Sequence, residues 1–515
     1  MLLGNGNSPK GNMMENFINS LNGIIWSPAL IYLCLGAGLF YSVLTRFVQV
    51  RLLKEMIKLM FSGVKSAEGI SSFQAFVVAL ANRVGVGNIA GVGAAIGFGG
   101  PSAVFWMWVV AFWGASTAYA EATMAQIYKE KDPITGHYRG GPAYYFEKGL
   151  GQKWYAILFA VSAVVSCGVF LPGVQANGIA SAVTGIIGEG SQMSFLGTMV
   201  GEYRIWVMVL VVIGLSTIIF GGIKRIARVA EFVVPFMALG YIFLALIIMM
   251  TNLDKVPAVF SLIMSDILNP MAGLGAAIGW GVKRGVYSNE AGQGTGPHHA
   301  GAAEVEHPAQ QGLVQAFSVY VDTLLVCSAT AFMILTTGMY NVKNEKTGEF
   351  IASNIPQSTE IGTPAFTQMA LEQTFGTFGP YFIAVAIFFF AFTTILAYYY
   401  IAEVNIAYLT RQLDKSMQKL GVWLPKITVV LMVAYGSINS AGYIWNMGDI
   451  GVGMTAWLNI VGILVMFFMA KPTLKALQDY ENQRKMGVSH YQFDPVKLGI
   501  KNATFWEEKL KQNQK

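Results

Sequence analysis

Two stretches set charged and amide side chains among apolar residues. The first reads Arg83-Val84-Gly85-Val86-Gly87-Asn88; the second reads Gly279-Trp280-Gly281-Val282-Lys283-Arg284-Gly285 and continues to Ser288-Asn289-Glu290-Ala291-Gly292. Glycine weakens a helix and frees its backbone groups. In lipid those groups are costly to leave bare, so something polar has to meet them. N–H groups at the start of a half-helix suit an anion, and freed carbonyls suit a cation. That is binding chemistry, not bond-making chemistry. A third stretch, "FFFAFTTILAYYYIAEV", carries the adjacent hydroxyls Thr393 and Thr394. Hydroxyls are ligands for a hard cation, although a membrane threonine read alone bonds the carbonyl one turn earlier. Glu121, Glu231, Glu290 and Asp322 also fall in apolar runs and are read as helix-tying or gating carboxylates. Arg83 is expected to pair with Glu121 or Glu290. His298 and His299 sit on a connecting loop with no metal-ligand partner at zinc spacing, so they are expected to be solvated.

The elements that must position these residues are spanning helices. Hydrophobic residues make up 54% of the 515 and charged residues only 12%, well below the roughly 25% of a soluble domain. The composition indicates an all-α integral membrane protein. Apolar runs long enough to cross centre on 25–45, 72–100, 102–128, 155–186, 204–222, 229–251, 270–296, 312–337, 379–409, 426–446 and 454–470, eleven helices in all. The outer segments then keep only Lys10, Arg204, Lys255, Lys343 and Lys346 of the 34 Lys and Arg. Nearly all the rest fall on the opposite side, which the positive-inside rule makes cytoplasmic. The N-terminus (1–24) is therefore expected outside and the tail 471–515 inside. A peripheral helix over 25–45 precedes two sets of five with opposite orientation, 72–251 and 262–470. Each set opens on a glycine-interrupted helix, the second and the seventh. Paired interruptions in inverted repeats point to a midplane transport site.

Other classes fit poorly. Gly85-x-Gly87-x-x-Ala90 satisfies a dinucleotide pattern but lacks the strand and soluble crossover it needs. No phosphate-binding loop, pore repeat or cluster of nucleophile, base and metal ligands is present, so a pump, a channel and an enzyme are disfavoured. The net charge of +6 follows the loop asymmetry, and no nucleic-acid or obligate protein partner is indicated. Cys34, Cys167 and Cys327 lie in apolar runs and read as buried side chains. The first residues lack the pattern of a removable signal peptide. The external loop from Tyr340 to Gly376 has no assigned role, and FWEEKLKQ near the C-terminus reads as a short surface helix.

The segments "VGVGNIAGVGAAIGFGGPSAVFWMWVVAFWG", "AEATMAQIYK", "RGGPAYYFEKGLG", "WGVKRGVYSNEAGQG" and "VDTLLVCSATA" resemble the alanine or glycine:cation symporter family over about residues 20–475. The resemblance implies sodium-coupled uptake of small neutral amino acids across the inner cell membrane, by alternating access through the inverted-repeat fold of the bacterial leucine transporter. No cofactor is implied beyond sodium as coupling ion. A subgroup of the family suggests the alternative of sodium- or proton-coupled glutamine transport. The resemblance further implies a sodium site made by the carbonyls of Ala81, Val84 and Phe390 and the hydroxyls of Thr393 and Thr394. Arg83 departs from the small or hydroxyl residue many members carry there, and a guanidinium cannot ligate sodium. For the substrate, Val86, Gly87 and Asn88 are expected to hold the carboxylate. Carbonyls around Gly279 to Val282 would accept from the ammonium. Trp280, beside Gly281, would wall a small side-chain pocket with Val286 nearby, and Gln175 is a further polar contact.

Overall fold

A computed structural model describes residues 9–61, 69–195, 198–219, 222–268 and 270–513. Residues 1–8, on which the expectation about a signal peptide falls, lie outside the described residues. The chain is almost wholly helical. In order it forms α1 (Pro9–Ile25), α2 (Pro28–Leu44), α3 (Val48–Arg51), α4 (Leu53–Phe61), α5 (Ser72–Arg83), α6 (Val92–Gly99) and α7 (Ala103–Ile127). It continues with α8 (Pro142–Lys148), α9 (Lys153–Ala163), α10 (Leu171–Ile187), α11 (Glu202–Ile219), α12 (Gly222–Thr251), α13 (Val256–Leu268), α14 (Leu274–Asn289) and α15 (Gly296–Gly301). The last third comprises α16 (Pro308–Val319), α17 (Ser328–Thr337), α18 (Ala365–Phe375), α19 (Phe378–Thr410), α20 (Lys415–Ile438), α21 (Ala441–Ala470), α22 (Pro472–Lys485) and α23 (Thr504–Asn513). Wide π-helical turns at Gly87–Gly91, Val164–Phe170 and Tyr320–Cys327 join α5 to α6, α9 to α10 and α16 to α17. Among the described residues three small two-stranded antiparallel sheets accompany the helices.

Among the described residues nine helices are long and apolar enough to cross a membrane, and ten if the bent pair Ser72–Arg83 and Gly87–Gly99 counts as one. The count of eleven differs because α14 has only 16 residues and the chain then leaves the helix. Two boundaries also shift. The span expected at 426–446 contains the end of α20 at Ile438 and the start of α21 at Ala441, so Trp445 and Asp449 lie inside a spanning helix. Two further helices are added, α1 before the peripheral helix and α13 in the connection from α12 to α14. Exposed apolar stripes such as Trp206, Leu210 and Ile213 on α11, and Phe232, Phe236, Leu239 and Phe243 on α12, are what a lipid-facing helix presents.

Two helices carry the interior. α7 is buried almost continuously from Val110 to Ile127 and packs against α2, α14, α15 and α16. α19 is buried from Phe390 to Ala402 and packs against α5, α10, α12, α18 and α20. The interrupted α5–α6 pair lies between these two groups. The tail folds back on the bundle: Trp506 of α23 is buried and donates to the Gln126 carbonyl at 2.8 Å. The expected surface helix is thus anchored by an indole.

Candidate transport site

α5 starts on a capping box, Ser71 with Gln74, and ends at Arg83, where Val84 is extended at φ −80° and ψ 95°. The axis beyond turns by 53°. Several groups freed by this interruption find partners. The Gly85 N–H donates to Asn88 Oδ1 at 2.9 Å, and the Val86 N–H donates to Gln175 Oε1 of α10 at 3.0 Å. The Ala81 and Val84 carbonyls accept from Thr394 Oγ1 of α19 at 2.7 and 3.3 Å. The Phe390 carbonyl also lies 2.9 Å from Thr394 Oγ1, whose single hydrogen is shared among these acceptors, and 3.0 Å from Thr393 Oγ1. Ala81, Val84, Phe390, Thr393 and Thr394 therefore present five oxygens in one cluster. Gly85 is needed here: a Cβ would lie 2.6 Å from Gln175 Oε1 and 2.8 Å from Thr394 Oγ1.

The second glycine-rich stretch behaves differently. α14 runs unbroken from Leu274 to Asn289, so the carbonyls from Gly279 to Val282 are engaged within the helix and are not free for an ammonium. The chain leaves the helix only at Glu290, at φ 58°, and passes Gly292 and Gly294, at φ 87° and 82°, before α15. Their two N–H groups donate to the Glu121 carboxylate at 3.1 Å each, and the Asn459 amide donates to it as well. Glu290 accepts from the Asn82 amide. The helix-tying role expected of these acids fits such contacts.

Trp280 and Gly281 lie towards the other end of α14. The Trp280 indole stacks on Phe98 at 4.7 Å and donates to Glu345 at 2.9 Å, in a cavity of about 830 Å³ lined also by Asn22, Trp26 and Lys283. Val286 is buried one residue before Tyr287, whose ring lies against Gly87: a Cβ there would sit 2.9 Å from Tyr287 Cδ1. The two interruptions are thereby neighbours. Between the cavity and Tyr287, Asp449 of α21 holds both Lys283 and Arg284 at 2.7 Å. The Arg284 guanidinium also covers the Trp445 ring at 4.4 Å. From the loop 340–376, the Gly362 carbonyl accepts from Trp445 Nε1 at 2.8 Å, so that loop reaches over this end.

The expected ion pair of Arg83 does not form. Its Nε donates to the Asn289 carbonyl at 2.7 Å and its Nη1 bonds Ser318 and Gln315, so it clamps α5 to the end of α14 and to α16. Asp322, in the turn after α16, accepts from Asn88 at 2.6 Å, Ser288 at 2.9 Å and Thr323 at 2.7 Å. Glu231 is exposed and accepts from Gln74 at 3.0 Å, tying α12 to α5. The two histidines are not solvated. His298 is buried between the Thr295 carbonyl, at 2.9 Å, and Asn405, at 2.8 Å, and His299 stacks on Tyr400. The glycine-rich turn Gly292–Gly296 folds them inward. At the opposite end from the cavity, Arg139 is buried against Asp132 at 3.0 Å and Glu403 at 3.5 Å.

The sequence reading missed Tyr287, Arg284, Trp445 and Asp449. Arg284 was visible as a charge at membrane depth. Asp449 was hidden because the run 426–446 was read as one span, although Asn439 and Ser440 offered a helix start.

The family model described as the sodium:alanine symporter family matches residues 11–494. The putative sodium/proton-dependent alanine carrier protein YrbD of Bacillus subtilis is 53% identical over 96% of this chain and 98% of its own length. The sodium/proton-dependent alanine carrier protein of Bacillus sp. strain PS3 is 47% identical over 88% and 98%. The probable sodium/glutamine symporter GlnT of Bacillus subtilis is 37% identical over 92% of each chain. Among solved structures, MhsT in complex with L-phenylalanine matches at a TM-score of 0.52 and 15% identity, over 80% of this chain and 97% of that one, a likeness of fold. The chain is a multi-pass membrane transporter and not an enzyme, and it belongs to the sodium:alanine symporter family.

Proposed function

We propose that the protein imports a small neutral amino acid, alanine first, together with sodium. The observation that carries this reading is the Thr394 hydroxyl, whose oxygen lies within hydrogen-bond distance of both carbonyls that the α5 interruption frees. Sodium would replace those hydrogen bonds, taking the carbonyls of Ala81, Val84 and Phe390 with the hydroxyls of Thr393 and Thr394 as ligands. The N–H groups of Val86 and Gly87 and the Asn88 amide would receive the carboxylate. Gln175, which accepts from the Val86 N–H, would turn to the ammonium. Val286 and its neighbour Tyr287 would bound the side chain. Trp280 and Gly281 would act earlier, at the mouth.

This reading takes α5–α12 and α14–α21 as inverted repeats of five, with α14 counted as the seventh of eleven crossings. It places the N-terminus outside and the tail in the cytoplasm, since Lys and Arg crowd the tail side. Alternating access would open the Lys283–Arg284–Asp449 cluster on one side and the Arg139–Asp132–Glu403 cluster on the other. Alanine is favoured over glutamine because the relatives at 53% and 47% identity are alanine carriers, the glutamine relative lying at 37%. Uptake of labelled alanine into proteoliposomes tests this. An imposed sodium gradient should drive accumulation that a proton gradient alone does not. Accumulation with protons and without sodium would overturn the sodium assignment.

A further inference from the structure

The segment joining α2 to the interrupted helix is built as a surface device. After α2 the chain turns through Arg46 and Phe47, both at φ 53°, and α3 and α4 leave the α2 axis. α4 has nine residues, far too few to cross a bilayer. One side of it is buried: Met56, Leu59 and Met60, with Leu52 just before, pack on the bundle. On the other side Leu53, Ile57 and Phe61 are exposed at every fourth position, and Phe47 and Val50 extend the apolar surface. Lys54 and Lys58 follow Leu53 and Ile57 by one residue, about 100° round the helix, and both are exposed. Among the described residues no ion pair engages either lysine. The one acid of α4, Glu55, points inward, accepting from Tyr480 at 2.7 Å and pairing with Arg484 at 3.4 Å. The outward face of α4 is therefore apolar with a basic edge made by Lys54 and Lys58, while Arg46 and Arg51 nearby pair with Glu481 at 3.3 and 2.6 Å.

An apolar stripe beside a row of cations is the pattern of a helix lying in a membrane interface, and its charge is complementary to phosphate. We propose that α3 and α4 dock anionic phospholipid headgroups. Leu53, Ile57 and Phe61 enter the acyl boundary, and Lys54 and Lys58 meet the phosphates. This inference rests on the membrane-spanning reading above, whose orientation makes the leaflet the cytoplasmic one. It does not depend on which substrate is carried.

The test is native mass spectrometry of the purified full chain titrated with phosphatidylglycerol or phosphatidylcholine. The wild type should retain phosphatidylglycerol in preference. Lys54→Gln with Lys58→Gln should weaken that retention about thirtyfold, at roughly 1 kcal/mol for each lysine, and leave phosphatidylcholine unchanged. Lys54→Arg with Lys58→Arg should restore it, which a loss of folding in the glutamine variant would not explain. Equal phosphatidylglycerol retention by the wild type and the glutamine variant overturns the proposal. Because lipid retention is read without transport, failed uptake with intact retention sinks only the transport reading.

Discussion

The stretches Val84–Gly91 and Gly279–Gly285 are alike in composition and unlike in structure. Both mix glycine with aliphatic residues, the first directly after Arg83 and the second around Lys283 and Arg284, yet only the first leaves the helix. At Gly85 a Cβ would meet polar atoms of two other helices, whereas at Gly281 it would meet the Ala103 carbonyl oxygen and Trp106 Cβ at 2.5 Å, the flank of α7. Glycine in α14 lets two helices pack closely. Glycine in the α5–α6 pair makes room for Gln175 and Thr394. A glycine-rich stretch in lipid unwinds where polar groups wait to receive its backbone, and otherwise serves as a packing notch.

The comparison can be broken most severely at Asp449. It is the shared counter-ion of Lys283 and Arg284, so Asp449→Asn strands two buried cations. A loss of about 3–5 kcal/mol of stability is expected from breaking a buried pair. Thermal unfolding in detergent should show a large drop, and an unchanged midpoint would mean the cluster is hydrated.

Two glycine-to-alanine changes sharpen the contrast next. Gly85→Ala crowds Gln175 Oε1 and Thr394 Oγ1, and overpacking of this kind costs about 1–3 kcal/mol. Uptake should fall roughly tenfold to a hundredfold. At Gly279 the nearest atom to an added Cβ is Ile31 Cδ1 at 3.7 Å, so Gly279→Ala should keep near wild-type uptake. Equal damage from both would mean that the contacts of Gly85 with Gln175 and Thr394 do not set its sensitivity.

The smallest expected effect separates the mouth from the centre. Trp280→Ala removes an indole that lines the cavity, and should leave the preference for alanine over leucine within about twofold, a few tenths of a kcal/mol. Gln175→Ala takes away the acceptor of the Val86 N–H and should change that preference more. A competition panel of alanine, glutamine and leucine on both variants checks the order.

Much of this was legible from residue type alone. The α5 interruption could be read because Asn88 brings its own cap and the glycines flank it. The pair Thr393–Thr394 could be placed only through resemblance, since nothing local says which side of α19 faces Ala81. The end of α14 was misplaced because glycine at Gly279, Gly281 and Gly285 gives the same sequence signal whether it notches a helix or ends it. What decides is the partner, and Glu121, which receives the Gly292 and Gly294 N–H groups, lies 171 residues from Gly292. The burial of His298 and His299 is invisible for the same reason: Asn405 and Tyr400 come from α19.

The most direct measurement is the sodium dependence of alanine uptake in proteoliposomes for the wild type and for Thr393→Ala with Thr394→Ala. The account predicts that the double variant needs at least about tenfold more sodium for half-maximal uptake, since losing 1.4 kcal/mol of cation binding does that. An unchanged sodium requirement would contradict it, and would move the cation away from the carbonyls of Ala81 and Val84.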